Sequence, residues 1–189
     1  MVSTTVNPTR MELTRLKKKL ATARRGHKLL KDKRDELMRR FLELVRENKE
    51  LREKVEKGLA DANRNFVLAK AVMREETLNT ALLAPLQSVS VEVGSKNVMS
   101  VDIPVFDYKS RTPDKSDIYS YGFAFTSNDL DFAVKSLEDI FPDMLRLAEI
   151  EKSCQLMAAE IEKTRRRVNA LEHVMIRVNA TRFRKRRAA

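Results

Sequence analysis

Two stretches of heptad repeat, one near each end of the chain, limit what this sequence can fold into. Apolar or small residues that alternate at spacings of three and four predict helices that supercoil around a partner helix. The first stretch comprises Leu13, Leu16, Leu20, Ala23, Leu30, Leu37, Phe41, Leu44, Leu51, Val55, Ala62, Ala69 and Val72. The second comprises Leu147, Ile150, Cys154, Met157, Ile161, Thr164, Val168, Leu171, Met175 and Val178. One chain therefore carries both halves of a coiled coil, which are antiparallel if the chain folds back on itself.

The composition agrees with long helices whose outer faces are solvated. Of the 189 residues, 34% are charged, and the sequence contains only 4 Gly and 5 Pro. A repeat of seven residues is slightly shorter than two turns of a straight α-helix, so it predicts a left-handed supercoil. The predicted fold class is mainly α: a long antiparallel left-handed two-helix coiled coil with a small β-hairpin insert.

The pattern divides the chain into three segments. Residues 1–84 are predicted to form an N-terminal coiled-coil helix, and residues 85–126 a β-hairpin and loop insert. Residues 127–189 are predicted to form a C-terminal coiled-coil helix that ends in a basic tail.

Local signals set the expected ends of the two helices. The first is predicted to begin at residues 7–9 (Asn-Pro-Thr) and to end near Leu83, before Pro85. The second is predicted to begin at residues 127–129, and Pro142 either kinks it or separates a short helix from a longer one.

In residues 86–106 the period of the apolar pattern changes from that of a helix to the period of two that is typical of a strand. The apolar positions are Val89, Val91 and Val93, then Met99, Val101, Ile103 and Val105. With a turn over residues 94–97, this pattern predicts a β-hairpin with one apolar face. Because an isolated hairpin is marginal in water, that face should pack on a helix or on a partner.

Polar residues and glycine interrupt the helical seam. They are His27, Arg34, Asn48, Gly58 and Asn65. Buried polar side chains of this kind fix register at a cost in stability. For Gly26 and Gly58 we favour local close packing or a mild bend over a functional hinge.

Positive charge is concentrated at the two ends of the sequence. Residues 1–40 carry 13 Lys or Arg against 4 Asp or Glu, and residues 160–189 carry 10 against 3. The whole chain has a formal charge of +11, so residues 41–159 are net acidic. If the helices fold back on one another, both basic segments lie at the same end, which indicates a distinct partner there.

The sequence contains no motif with a recognised means of catalysis. His27 and His173 lack the spacing of a metal site, and neither a phosphate-binding loop nor a nucleophile motif is present. The single Cys154 lies on the helical seam and favours a reducing compartment. We therefore expect no catalytic residues, no metal and no cofactor, and we expect neither a signal peptide nor a membrane-spanning segment.

Three sequence blocks resemble the D subunits of the V/A-type ATPases and ATP synthases, in particular the bacterial ones. They are NPTRMELTRLKKKLATARRGHKLLKDKRDEL (residues 7–37), NVMSVDIPVF (97–106) and KTRRRVNALEHVMI (163–176). The third block is the most specific, and the resemblance covers residues 7–176.

That resemblance implies a non-catalytic central rotor shaft, cytoplasmic and peripheral to the membrane. In this family the N- and C-terminal segments together enter the cavity of a hexamer of A and B subunits, which binds and hydrolyses ATP. The F subunit binds the side of the coiled coil, and the opposite end rests on a d or C subunit above the membrane ring. The β-hairpin is similar to one thought to influence ATPase activity, here Val89, Val91, Val93, Met99, Val101 and Ile103.

Two contact regions follow as predictions from the resemblance. The expected contacts with the A/B hexamer are basic residues of the two terminal segments: Arg10, Lys17, Lys18, Lys19, Arg24, Arg25, Arg165, Arg166 and Arg167. For the F subunit we predict the stretch around residues 45–65 with 145–160, where the seam is interrupted and the charge becomes acidic.

The sequence departs from the family after Ile176. The family usually places a Pro there and continues along an acidic amphipathic helix, whereas here Arg177 follows and a basic run occupies residues 182–187. If Leu83 lies opposite Asn128, the numbers of facing residues sum to about 211. In that register the first dozen or so residues of the first helix lack a partner, and a truncated or altered C-terminus is one interpretation.

Two other functions compete with the rotor. A protein that binds nucleic acid or another polyanion would use the basic end, but the basic residues lack interleaved aromatic residues except Phe183. A membrane-surface tether would need a wide apolar face beyond the seam, which the sequence lacks. The prediction is therefore a rotor protein without membrane insertion and without direct binding of nucleic acid.

Overall fold

The computed structural model describes residues 9–112, 115–122 and 126–187. Its helices are α1 (Arg10–Val72), α2 (Glu75–Leu82), α3 (Asn128–Asn169) and α4 (Arg177–Arg187). A π-helical segment, Ala170–Ile176, joins α3 to α4, and Lys115–Ile118 forms a short 3-10 helix. Strands β1 (Val89–Val98) and β2 (Val101–Ser110) form one antiparallel hairpin. The predicted class, mainly helical with paired long helices and a small hairpin, is confirmed.

The chain forms two compact units. Unit 1 comprises residues 1–42 and 156–189, and unit 2 comprises residues 43–155. The charge follows this division, because unit 1 holds 23 Lys or Arg against 7 Asp or Glu and unit 2 holds 15 against 20.

In unit 1, α1 and α3 pair in opposite directions through the predicted seam. Lys33 Nζ lies 3.5 Å from Glu160 Oε1, and His27 Nε2 lies 3.3 Å from Glu172 Oε2. The partner number rises as the α1 number falls, so the helices are antiparallel. The buried seam residues are Leu16, Ala23, Leu37, Met157, Ile161, Thr164 and Val168.

In unit 2, ion pairs join α1 to α3. Arg146 Nη2 lies 2.6 Å from Glu47 Oε1, and Lys54 Nζ lies 2.6 Å from Asp143 Oδ2. Arg52 forms a third pair with Glu151. The buried residues between the helices of this unit are Val55, Ala62, Ala69, Ile150 and Ser153. Ser153 takes the seam position predicted for Cys154, which is only half-buried.

The observed register differs from the expected sum of about 211. The facing pairs Lys33–Glu160 and His27–Glu172 sum to 193 and 199. The expectation was wrong because it placed the end of the first helix at Leu83, whereas α1 ends eleven residues earlier, at Val72. With the observed register, the start of α1 is level with α4, and Leu16 is only 4% exposed.

The end of α1 is set by a cluster that folds back on it. Arg74 takes an extended conformation (φ −68°, ψ 140°), and α2 begins after it. The cluster comprises buried Ala69, Leu78, Ala81 and Leu130 with partly buried Phe66, Met73, Tyr121 and Val134. Val72, predicted on the seam, is 75% exposed because the helix ends there.

The predicted bounds of the second helix agree better with the structure. Its start is confirmed, because α3 begins at Asn128 and the Asp129 N–H donates to Ser127 Oγ at 3.2 Å. Pro142 lies within a continuous helix, so the alternative of two separate helices is wrong. The predicted helix start at Asn7 and Pro8 lies outside the described residues.

The hairpin turn lies later than predicted. Residues 94–97 belong to β1, and the turn is at Met99 and Ser100, whose φ angles are 53° and 70°. Two successive positive φ values are typical of the two-residue turn that matches the twist of a hairpin. The Ser100 N–H donates to Asn97 Oδ1 at 3.2 Å, and the Asn97 amide donates to Asp102.

This register distributes the apolar residues over both faces of the hairpin, so the prediction of one apolar face is wrong. Val91 pairs with Tyr108 and Val93 with Phe106, whereas Val101 lies on the opposite face. Val101 is 6% exposed and Val93 is 69% exposed. The hairpin is held on α3 by an edge-to-face contact of Tyr108 with Phe141, whose ring centres are 6.0 Å apart.

Candidate partner interface

The nine predicted hexamer contacts all lie on exposed positions of unit 1. The residues are Arg10, Lys17, Lys18, Lys19, Arg24, Arg25, Arg165, Arg166 and Arg167. Each is on a long helix whose opposite side is buried in the seam, because α1 and α3 keep their apolar stripes facing inward. Unit 1 therefore presents a strongly basic surface.

The nine residues do not form one cluster. Arg165–Arg167 lie between Glu160 and Glu172, which contact Lys33 and His27, so they are level with residues 27–33 of α1. Lys17–Lys19 lie at least eight residues nearer the start of α1, which is about 12 Å along the axis. The structure thus spreads the predicted contacts along the helix pair.

Carboxylates partly neutralise this surface. Arg166 forms an ion pair with Glu162, and such an exposed pair contributes little to stability. Glu36 Oε1 lies 2.7 Å from Arg39 Nη2 and 3.0 Å from Arg40 Nε. Hydrogen bonds from Arg39 and then Arg40 lower the pKa of Glu36 to about 2, so its negative charge persists in acid.

The π segment is a feature that the heptad pattern missed. Met175 was predicted on the seam, but it is 50% exposed, and the neighbouring Val174 is 57% exposed. Ile176, one residue further, is half-buried instead. The segment falls within KTRRRVNALEHVMI, so the resemblance identified the region although the spacing misplaced Met175.

The six predicted hairpin residues divide into three groups. Val89, Val91 and Val93 are exposed on one face of β1. Met99 lies in the turn, and Val101 and Ile103 lie on the other face, where Val101 is buried. The exposed valines can meet a partner, whereas Val101 serves packing within unit 2.

The region predicted to bind the F subunit includes the three ion pairs of unit 2. They join residues 47–54 of α1 to residues 143–151 of α3, which overlap the stretch around 45–65 with 145–160 predicted from charge and seam interruptions, although Asp143 lies just outside it. Gly58, one of those interruptions, lies against Ile140: a Cβ added to it would be 2.7 Å from Ile140 Cγ1. This geometry supports close packing at Gly58.

The described part of the chain offers little for chemistry. Within residues 9–112, 115–122 and 126–187, no three His, Cys, Asp or Glu side chains are placed to hold a metal ion. Two open grooves, of about 660 and 390 Å³, flank α2 and the hairpin base, respectively. Burial raises the pKa of the Cys154 thiol, which disfavours the reactive thiolate. Among the described helices, none is long and apolar enough to cross a bilayer.

Comparison with known proteins agrees with the resemblance. A family model that describes the D subunits of ATP synthases matches residues 12–177. The D subunit of the V-type ATP synthase of Clostridioides difficile is 62% identical over 176 residues, covering 93% of this chain and 79% of that protein. The corresponding protein of Acetivibrio thermocellus is 63% identical over 171 residues, covering 90% and 77%. That of Clostridium botulinum is 58% identical over 172 residues, covering 90% and 80%.

The family match along most of the chain and the high identity to these relatives point the same way. The blocks at residues 7–37, 97–106 and 163–176 that first suggested the relationship lie within or overlap the matched region. The chain belongs to the family of D subunits of V-type ATP synthases.

Proposed function

We propose that this chain is the non-catalytic central rotor shaft of a V/A-type rotary ATPase or ATP synthase. It transmits torque between the A/B hexamer, where ATP is hydrolysed or synthesised, and ion translocation in the membrane ring. The observation that carries the proposal is the antiparallel pairing of α1 and α3, cross-linked by ion pairs such as Glu47–Arg146, in a member of this family.

The physical argument rests on stiffness and asymmetry. Two helices packed side by side resist bending more than one helix, and interhelical pairs such as Lys54–Asp143 oppose sliding of one helix along the other. A pair of helices is also wider in one direction than in the other. A rotating shaft biases catalytic sites only if each orientation contacts open and closed sites unequally, and this cross-section supplies that difference.

The charge division supports an assignment of partners. The basic surface of unit 1 suits the cavity of the A/B hexamer, and the ion-paired region of unit 2 suits the F subunit. The membrane-side d or C subunit binds the end of the protein that does not enter the hexamer. The exposed valines of β1 influence ATPase activity. The complex holds the chain at the cytoplasmic face of the membrane, without insertion.

Reconstitution tests this function. The full chain is mixed with purified A/B hexamer, with and without the F subunit, and the mixture is resolved by gel filtration before ATP hydrolysis is measured on the peak. A complex of one chain per hexamer with altered ATP hydrolysis is the expected result. Failure to bind both the hexamer and the F subunit would overturn the rotor assignment.

The basic surface of unit 1 also favours a second candidate, a polyanion-binding protein. Nucleic-acid binding through Lys and Arg weakens steeply with salt and depends little on sequence. Titration with duplex DNA at two salt concentrations distinguishes the two functions. The rotor assignment expects binding to DNA to be far weaker than binding to the hexamer at physiological ionic strength.

A further inference from the structure

The π segment shifts the seam of the second helix by one residue. Before it, Thr164 and Val168 are 1% and 3% exposed, as the heptad predicts. A π-helical turn closes its hydrogen bond from i to i+5, so it holds about one residue more than an α turn. Since one residue is about 100° around an α-helix, Met175 turns out of the seam and Ile176 takes its place.

The shifted segment is fixed to α1. His27 Nε2 and Glu172 Oε2 are 3.3 Å apart, and Leu171 beside Glu172 is half-buried. On the facing helix the small Ala23 is 7% exposed. The extra residue is therefore held between packed positions, and its effect is to turn Met175 out of the seam, so that it lies on the surface next to the exposed Val174.

Exposed arginines lie at this level of unit 1. Because Glu172 faces His27, Val174 and Met175 are level with Arg24 and Arg25, which are exposed. Arg177, at the start of α4, is exposed as well. An exposed apolar pair at the level of exposed arginines, in a unit with 23 basic and 7 acidic residues, suits an acidic surface with an apolar centre.

We infer that the π segment sets the angular position of a contact made by Val174 and Met175 with the wall of the catalytic hexamer. The partner surface is an apolar patch bordered by carboxylates, which pair with Arg24, Arg25 and Arg177. This inference rests on the proposed rotor function and adds the residues that fix which side of unit 1 meets the hexamer. The His27–Glu172 contact holds the segment in place.

The variant Val174→Ser/Met175→Ser keeps the chain length and removes the apolar pair. Because both side chains are exposed, the urea midpoint of unfolding should stay close to that of the wild type. Affinity of the full chain for the A/B hexamer should fall at least about tenfold, as expected for central apolar contacts. The matched control is Val67→Ser/Leu68→Ser, a consecutive apolar pair of unit 2 that is 64% and 49% exposed.

A deletion of Val174 provides a second test of the one-residue shift of the seam. Removing one residue should restore a continuous α-helix and leave Ile176 on the seam, so helical content by circular dichroism is retained while hexamer affinity falls. If this deletion prevents folding, the substitution variant decides the matter alone.

The outcomes separate the two proposals. Wild-type chain that fails to bind the hexamer overturns the rotor function and this inference with it. If the wild type binds and Val174→Ser/Met175→Ser binds equally well, the inference alone is overturned. It is also overturned if Arg24→Gln/Arg25→Gln abolishes binding while the serine variant does not, or if the serine variant changes only self-association of the chain in gel filtration.

Discussion

Gly58 shows how a single missing side chain allows two helices to pack. A Cβ at this position would lie 2.7 Å from Ile140 Cγ1, closer than real carbon contacts. We predict that Gly58→Ala lowers the free energy of unfolding. Overpacking costs about 1–3 kcal/mol, whereas the gain in helix propensity is about 1 kcal/mol. Gly26 is the matched control because a Cβ there meets nothing within 4 Å.

Gly26→Ala should therefore raise the free energy of unfolding by about 0.5–1 kcal/mol. Urea denaturation of both variants measures the difference. Equal stabilisation by the two substitutions would show that Gly58 does not accommodate Ile140.

Tyr121 makes the cluster at the end of α1 sensitive to alkaline pH. Its hydroxyl donates to Asp131 Oδ1 at 2.8 Å, and burial followed by that hydrogen bond raises its pKa. A raised pKa contributes stability that is present below the ordinary tyrosine pKa of about 10 and is lost as pH rises above it. Tyr121→Phe should lower the free energy of unfolding by about 1 kcal/mol at neutral pH. It should also reduce the loss of stability above a pH of about 10, which urea denaturation at a series of pH values measures.

Glu36 makes unit 1 sensitive to acid in the opposite sense. Hydrogen bonds from Arg39 and Arg40 lower its pKa from 4.5 to about 2. The stabilisation is therefore complete above the ordinary value and is lost as pH falls toward 2. A carboxyl NMR titration of the wild type should find the low pKa, and Arg39→Gln/Arg40→Gln should return it toward 4.5. An unchanged midpoint in that variant would contradict the assigned cause.

Among the secondary-structure elements, the hairpin turn is the clearest difference from the sequence-based expectation. Ser100 has a φ of 70°, which is costly for a residue with a Cβ, whereas Gly94 has an ordinary strand conformation. We predict that Ser100→Gly raises the thermal midpoint, by an amount that corresponds to roughly 1 kcal/mol in the free energy of unfolding. Gly94→Ala should have little effect, since the added Cβ would lie 3.6 Å from the Val105 carbonyl oxygen.

The opposite result would be a lower thermal midpoint with Gly94→Ala and no increase with Ser100→Gly. It would indicate a turn at residues 94–97 instead. The sequence favoured that position because Gly, Ser and Asn are common turn formers. It could not show that Asn97 stabilises two later residues through hydrogen bonds to the Ser100 N–H and to Asp102. Side-chain hydrogen bonds of this kind are set by the three-dimensional turn.

The same distinction applies to the helices. Heptad spacing predicted the pairing of α1 with α3 because the seam from Leu16 to Ala69 repeats a local period. The end of α1 at Val72 depends on a cluster in which Leu78 packs with Leu130, a residue far away in the sequence, so no local signal marks it. Charge patterning likewise predicted a basic surface, but the π segment that orients Val174 and Met175 has no signature in the heptad.

For the molecule as a whole, the segregation of charge predicts how assembly responds to salt. Unit 1 is strongly basic, and unit 2 is weakly acidic. Binding to the hexamer should weaken markedly between low and physiological ionic strength, because exposed charges are screened over about 8–10 Å. Binding of the F subunit should depend less on salt. Equilibrium titrations of each partner at several salt concentrations measure both slopes, and equal slopes would contradict the separate roles of the units.

The order of the units along the chain has a consequence for folding. Unit 2 is one contiguous segment, whereas unit 1 joins residues whose contacts, Lys33–Glu160 and His27–Glu172, span 127 and 145 positions. Closing loops of that length is slow and entropically costly. In unit 2, Glu47–Arg146 and Arg52–Glu151 hold the ends of the segment near one another. We therefore expect that folding of the middle of the chain shortens the search for the outer arms, and that the basic helix pair assembles last.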